Sequence, residues 1–222
     1  MRNWFKSNRG FLLFLLCFGF FRTAIADWNP IPSGSMRPNL LEGDVVFVNR
    51  IAYDFKLPLS DHVIASLADP QRGDVVTFSS PRDGTRLIKR IVAVAGDTVE
   101  MRHERLFVNG EAASYELQEQ VDEPIKGLGE VKAVRLTETL GQAQRRVQWL
   151  EGVRARDSFA PLKVPQGQVM VLGDNRDDSA DSRYFGFVPR ERLIGRAVRV
   201  LVSADIQGDW APRLERFGMV LR

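Results

Sequence analysis

Two small hydroxyls, Ser33 and Ser35, flank Gly34 within Ile31–Leu40, between Pro32 and Pro38. The prolines fix φ and remove backbone donors, so this stretch is neither a helix nor a central strand. Gly34 admits a tight turn. The result is a stiff, exposed loop presenting small hydroxyls, which do chemistry only with a base within reach. A plain Ser/Gly/Pro linker leaving an apolar segment fits the same ten residues. The choice between these readings depends on where a base could come from.

Histidine is a poor source. The chain has two, His62 and His103, both in ordinary polar contexts, and no G-x-S-x-G motif, which disfavours a Ser-His-Asp hydrolase. The lone Cys17 rules out an intrachain disulfide and a Cys-based metal cluster, and two histidines argue against a zinc site. No metal and no cofactor is expected. Lysine is the better candidate. Lys89 lies in the run Arg86–Val94, where strand alternation groups it with Leu87, Ile91 and Ala93 and groups Arg86 and Arg90 with Ile88, Val92 and Val94. On an apolar face desolvation lowers a lysine pKa, and a neutral amine is a competent general base. The other reading of Lys89 is an edge-strand residue whose stem packs while its amine reaches water.

A third stretch, Gly173 to Gly186, holds four aspartates and two arginines. It fails the EF-hand pattern, since counting from Asp177 puts Ser182 where Gly is needed and Val188 where Glu is needed. Asp and Asn favour turns, and Arg176 and Arg183 can pair with carboxylates bidentately, which makes a stiff polar loop without a metal. A surface Asx-rich turn is the simpler alternative.

The elements that must carry these residues read mainly as strands. Short β-branched runs occur at Asp44–Asn49, Asp74–Ser79 and Arg86–Val94. Thr98–Met101 and Arg105–Val108 form a hairpin candidate around His103-Glu104, with Asn109-Gly110 as the next turn. Val131–Leu136, Arg146–Leu150, Gln168–Leu172 and Leu193–Ser203 add further strands. Between Asn49 and Asp74, Tyr53, Phe55, Leu57 and Leu59 alternate with Asp54, Lys56 and Pro58, suggesting either a core strand or an apolar patch resting on lipid headgroups. Residues 103–166 are polar, contain none of the chemical candidates, and read as a smaller β insertion. Acidic and basic residues are interspersed at a net charge of +3, with no basic tail, so no nucleic-acid partner is expected.

Near the amino terminus, Phe11–Phe21 is apolar apart from Gly19 and follows Arg2, Lys6 and Arg9. That bias puts the amino terminus in the cytoplasm and the remainder across the membrane. The apolar stretch covers only roughly 18 Å as a helix, so spanning requires continuation through Thr23–Ala26 with Arg22 snorkelling. Trp4 and Trp28 would then sit near the two interfaces. A cleavable secretory signal with Ala24-Ile25-Ala26 as its A-x-A site is the competing reading. Either way residues 28–222 are exported.

Taken together, these stretches resemble the bacterial type I signal peptidases, membrane-bound Ser-Lys proteases. The resemblance rests on the apolar segment, Pro32-Ser33-Gly34-Ser35-Met36-Arg37-Pro38, Gly43-Asp44-Val45-Val46, Arg72-Gly73-Asp74-Val75-Val76, Ile88-Lys89-Arg90, Gly96-Asp97 and Gly173–Arg183. The chain departs from the family pattern at Asp178, where Asn is usual, and at Leu87, where an aromatic is frequent. The resemblance implies an antiparallel β catalytic core with a smaller β insertion and one N-terminal transmembrane helix. It implies Ser35 as nucleophile, Lys89 as general base, Ser33 in the oxyanion hole and Ser179 orienting the amine. Asp181, Arg183, Gly173, Asp174 and Asn175 would scaffold the site, and Ile31, Met36, Leu40 and Ile88 would wall a shallow substrate pocket. Substrates would be exported preproteins with small residues one and three positions before the cut. The enzyme would be a single-pass protein of the inner membrane with its catalytic domain on the outer face, and a monomer. The expected layout is a stub and anchor over 1–27, a core over 28–102 and 167–205 interrupted by the insertion at 103–166, and a tail from 206. Rival readings are a pilin-maturing peptidase of a conjugation system and a non-catalytic, membrane-tethered peptide-binding β-domain. SOS-type repressors share the Ser-Lys pairing, but they are cytoplasmic and carry a DNA-binding module, whereas this chain begins with an export segment.

Overall fold

The computed structural model of the chain describes residue 4 and residues 8–57, 60, 62–125, 127 and 129–221. Arg2, Lys6, Pro58 and Leu59 lie outside the described residues. The chain opens with helix α1 (Arg9–Phe20), continued by a π-turn at Phe21–Ile25. Six strands follow: β1 (Ala26–Pro30), β2 (Asp44–Asn49), β3 (Asp54–Lys56), β4 (Val63–Ser66), β5 (Val75–Ser79) and β6 (Arg86–Val94). Next come β7 (Thr98–Arg102), β8 (Arg105–Val108), β9 (Glu111–Ala112), β10 (Ser114–Ile125), β11 (Gly129–Leu140), β12 (Ala143–Leu150) and β13 (Phe159–Lys163). The last elements are β14 (Gln168–Leu172), the short helix α2 (Ser182–Phe185), β15 (Val188–Pro189) and β16 (Leu193–Ser203).

A seven-stranded antiparallel sheet in the order β1-β2-β16-β5-β6-β14-β15 is the frame of the molecule. The sheet curls, because Arg86 on β6 reaches across to Asp27 (3.1 Å) and Asn29 (2.8 Å) on the edge strand β1. A four-stranded sheet, β13-β7-β8-β9, shares one apolar cluster with it: Val92, Ala93, Met170 and Leu172 pack with Val99, Met101, Leu106 and Val108. A three-stranded sheet, β10-β11-β12, rises from this body as long antiparallel ribbons. The hairpin between β7 and β8 turns through His103 and Glu104, both at positive φ, and Asn109-Gly110 makes the next turn, also at positive φ.

The connection from Asn49 to Asp74 folds into the β3–β4 hairpin, with the expected alternation inverted. Asp54 and Lys56 are the buried residues, and Leu57 is exposed. The Lys56 amine donates to the Glu191 and Leu193 carbonyls, and Asp54 takes Arg190, so specific polar partners offset their burial. Tyr53 does enter the core.

No helix of the described residues is long and apolar enough to cross a membrane. Every residue of α1 is at least partly exposed. At its exit the Arg22 guanidinium stacks on Trp28 at 4.4 Å and faces Asp27 at 3.6 Å. Ala24 and Ala26 are buried, and Ala26 pairs with Asn49 in the β1–β2 ladder.

Candidate active site

Ser35 sits on a single 3₁₀ turn, Gly34–Met36, entered from the extended Ser33 and left through the extended Arg37. Beneath the turn Ile31, Met36 and Leu40 are buried with Val46, Val48, Val75, Ala197 and Val200. This packing fixes the turn on the sheet. It also means that Met36 and Leu40, expected as pocket walls, are core residues with no exposed surface. The cleft beside Ser35 has a volume of about 340 Å3 and takes its apolar walls from Ile31, Pro32, Leu87 and Ile88. Ser33, Ser35 and Lys89 lie on it together.

Lys89 comes from the middle of β6, where one side is covered by β5 in the register Lys89↔Val76. The amine is buried and lies 2.6 Å from the Ser35 hydroxyl oxygen; it also donates to the Ile88 carbonyl at 2.9 Å. Burial pulls its pKa down from 10.5, Asp181, Asp174 and Asp178 partly oppose this, and the result is about 8. A neutral fraction therefore exists at neutral pH, able to accept the Ser35 proton. Ser33 is exposed, with its hydroxyl 3.4 Å from that of Ser35.

The loop after β14 closes over this pair. Asn175 donates to the Ser35 carbonyl from its backbone N–H and to the Gly34 carbonyl from its side chain, both at 3.2 Å. At Gly173 a Cβ would fall 2.3 Å from Ser179 Oγ and 2.5 Å from the Ser35 carbonyl oxygen, so only glycine permits the approach. The Ser179 hydroxyl is buried beside it without a hydrogen-bond partner among the described residues. Asp181 accepts from the Gly173 N–H (3.0 Å) and from the Arg183 guanidinium (2.8 and 2.9 Å), folding the loop back on itself. Asp174 is gripped bidentately by Arg90 at 2.8 and 2.7 Å and also accepts from Asn39.

Arg90 is one of several residues that the sequence did not flag. Expected opposite Lys89, it is just as buried, since β6 packs on both sides, with Ile91 in one apolar cluster and Val92 and Ala93 in another. The others lie in or against the insertion. Glu138 (β11) receives Arg176, Arg145 and the Tyr115 hydroxyl, and Glu123 (β10) receives Arg37 and Arg135. A signal for Glu138 existed: alternation through Leu136–Leu140 puts it on the apolar face.

A serine hydroxyl bonded to a buried amine on an antiparallel β frame is equipped for nucleophilic hydrolysis with lysine as base. The family model described as "Signal peptidase, peptidase S26" matches residues 1–202, and the chain belongs to this family. It is 37% identical over 203 residues to a Pseudomonas aeruginosa protein named signal peptidase I, covering 86% of this chain and 70% of that one. It is 32% identical to the signal peptidase I of Aquifex aeolicus, covering 87% and 82%. A crystal structure of a signal peptidase I from Enterococcus faecalis aligns at 32% identity and a TM-score of 0.35, over 59% of this chain and 98% of the other.

Proposed function

We propose that the protein is a serine endopeptidase that removes signal peptides from exported preproteins, with Ser35 as nucleophile and Lys89 as general base. The observation that carries this reading is the 2.6 Å contact between the Lys89 amine and the Ser35 hydroxyl, in a site buried enough to bring the amine to about 8. Neutral Lys89 takes the Ser35 proton as the oxygen attacks the scissile carbonyl, then protonates the departing amine. It next deprotonates the water that releases the acyl group. The Ser35 N–H and the Ser33 hydroxyl stabilise the oxyanion. Ser179 orients the amine, while Asp181 and Arg183 hold the loop beneath it.

The sheet supplies the binding mode. Among the described residues, β6 is paired only to β5 from Arg86 to Lys89; its pairing with β14 begins at Arg90, opposite Leu172. The free edge borders the cleft opposite Ile31–Ser33. An extended peptide added there exposes alternate side chains to one wall, which accounts for joint reading of the first and third positions before the cut. Walls of Ile31, Pro32, Leu87 and Ile88 leave room for small side chains.

The chain is anchored in the inner membrane by residues 1–27, with residues 28–205 and the tail on the outer face. The continuous helical stretch Arg9–Ile25 and the Arg22–Trp28 stack at its end support an anchor that exits directly into β1. Burial of Ala24 and Ala26 in the folded domain supports retention over cleavage of this segment. The test uses the detergent-solubilised full chain and a purified preprotein, with products read by mass. The expectation is a single cut after a small residue, abolished in Ser35→Ala with circular dichroism unchanged. Turnover by Ser35→Ala would overturn the dyad.

A further inference from the structure

The insertion carries no residue of the dyad, yet it is fastened to both segments that build it. Two buried carboxylates make the attachments. Glu123, on β10, is 2% exposed and takes the guanidinium of Arg37, two residues after Ser35. Glu138, on β11, is fully buried and takes Arg176, in the loop after β14, at 2.6 Å. Each guanidinium is itself buried. Backbone contacts follow the same seams. The Gln148 N–H on β12 donates to the Asp174 carbonyl, and the Arg176 N–H donates back to the Gln148 carbonyl. The Leu150 N–H donates to Asp177, and Asn39 donates to the Arg146 carbonyl.

We infer that the insertion is a clamp on the active site, with Glu123 and Glu138 as positioning residues for the dyad. Glu138 acts on Arg176, which fixes the loop; Asn175 and Gly173 of that loop rest on the Ser35 and Gly34 carbonyls. Glu123 acts on Arg37 and so on the turn itself. The two guanidiniums act on Ser35 by separate routes, Arg37 along the turn and Arg176 through the loop that Asn175 fastens to the Ser35 carbonyl, so loss of either salt bridge lets the hydroxyl drift from the amine. Displacements of about 1 Å at a reacting group cost on the order of a hundredfold in rate. Opening the Glu138–Arg176 pair would also leave a guanidinium buried without its carboxylate, which keeps that pair closed in the folded protein. Arg37 also pairs with Glu42 at 2.9 Å and Glu123 with Arg135, so each partner keeps a counter-ion when the other is neutralised.

This inference rests on the proposed peptidase activity, and its test separates the two. Glu123→Gln, Arg37→Met and the double variant are assayed as full chains in detergent on one preprotein. Each single variant is expected to lower kcat at least tenfold with KM changed less than twofold, and the double variant to lose no more than the worse single. Glu138→Gln should lower kcat likewise and move the acid limb of the pH profile upward. That shift follows because water reaching Lys89, which faces Asp174, Asp178 and Asp181, returns its pKa toward 10.5. NMR titration of Lys89 in Glu138→Gln, a readout independent of turnover, should show the same rise. An inactive wild type would sink the peptidase reading. An active wild type with unaltered kcat and Lys89 titration in folded variants, or with multiplicative losses in the double variant, would sink the clamp.

Discussion

Replacing the proposed base should make the protein more stable. Lys89 is buried, and its pKa falls from 10.5 to about 8 chiefly because of that burial. A drop of that size corresponds to about 3 kcal/mol of folding free energy at neutral pH. The unfolded chain holds the proton more tightly than the folded one between about pH 8 and 10.5, so wild-type stability rises with pH across that window. Below it both states are protonated and the full penalty remains. Lys89→Met keeps the stem and removes the charge. It gives up the hydrogen bonds to Ser35 and to the Ile88 carbonyl, about 2 kcal/mol together, leaving a net gain of about 1 kcal/mol at pH 7, or about 2–4 °C in Tm for a domain of this size. Urea unfolding of the detergent-solubilised chain at pH 7 and pH 10, alongside preprotein turnover, reads both effects. The variant should be inactive, more stable than wild type at pH 7, and less stable than wild type at pH 10. A variant that is less stable at pH 7, or whose advantage does not shrink with rising pH, would refute the account of a destabilised amine.

Two further substitutions test the surroundings. Ser33→Ala should lower kcat by about 100- to 1,000-fold with little change in KM, as the loss of one oxyanion donor does elsewhere; steady-state kinetics on one preprotein decides. Gly173→Ala places a methyl 2.3 Å from Ser179 Oγ and 2.5 Å from the Ser35 carbonyl. It should cost about 1–3 kcal/mol in denaturant unfolding and most of the turnover, because the loop must lift off the nucleophile's turn.

Much of the frame is legible in the sequence because its strands announce themselves. Asp44–Asn49, Arg86–Val94, Arg105–Val108, Gln168–Leu172 and Leu193–Ser203 are β-branched runs bounded by turn residues, and each is a strand with those limits. The turn at Asn109-Gly110 is as readable, since Asn and Gly tolerate positive φ. Strands that carry little apolar pattern are harder. Strand β1 contains Asp27, Trp28 and Asn29 and ends on a proline, and half of β10 is Glu, Gln and Asp. Their extended form comes from partners, β2 and β11, rather than from their own residues. The site divides along the same line. Ser35 and Lys89 can be singled out as residue types in unusual settings. The buried ion pairs around them depend on which polar residue meets which across dozens of positions of chain, and local pattern is silent on that. Met36 and Leu40 show the converse: apolar residues beside a nucleophile suggest a pocket, but here they build the floor that holds it.

Strand β1 has one more consequence. Under the proposed specificity, Ala24 and Ala26 spell out in this chain the kind of site it cuts in others. In the folded protein Ala26 is locked by Asn49 and both methyls are hidden, so the peptidase is immune to itself only while that edge of the sheet stays zipped. A molecule that frays there would expose such a site, and an intact neighbour could then sever the domain from its amino-terminal helix.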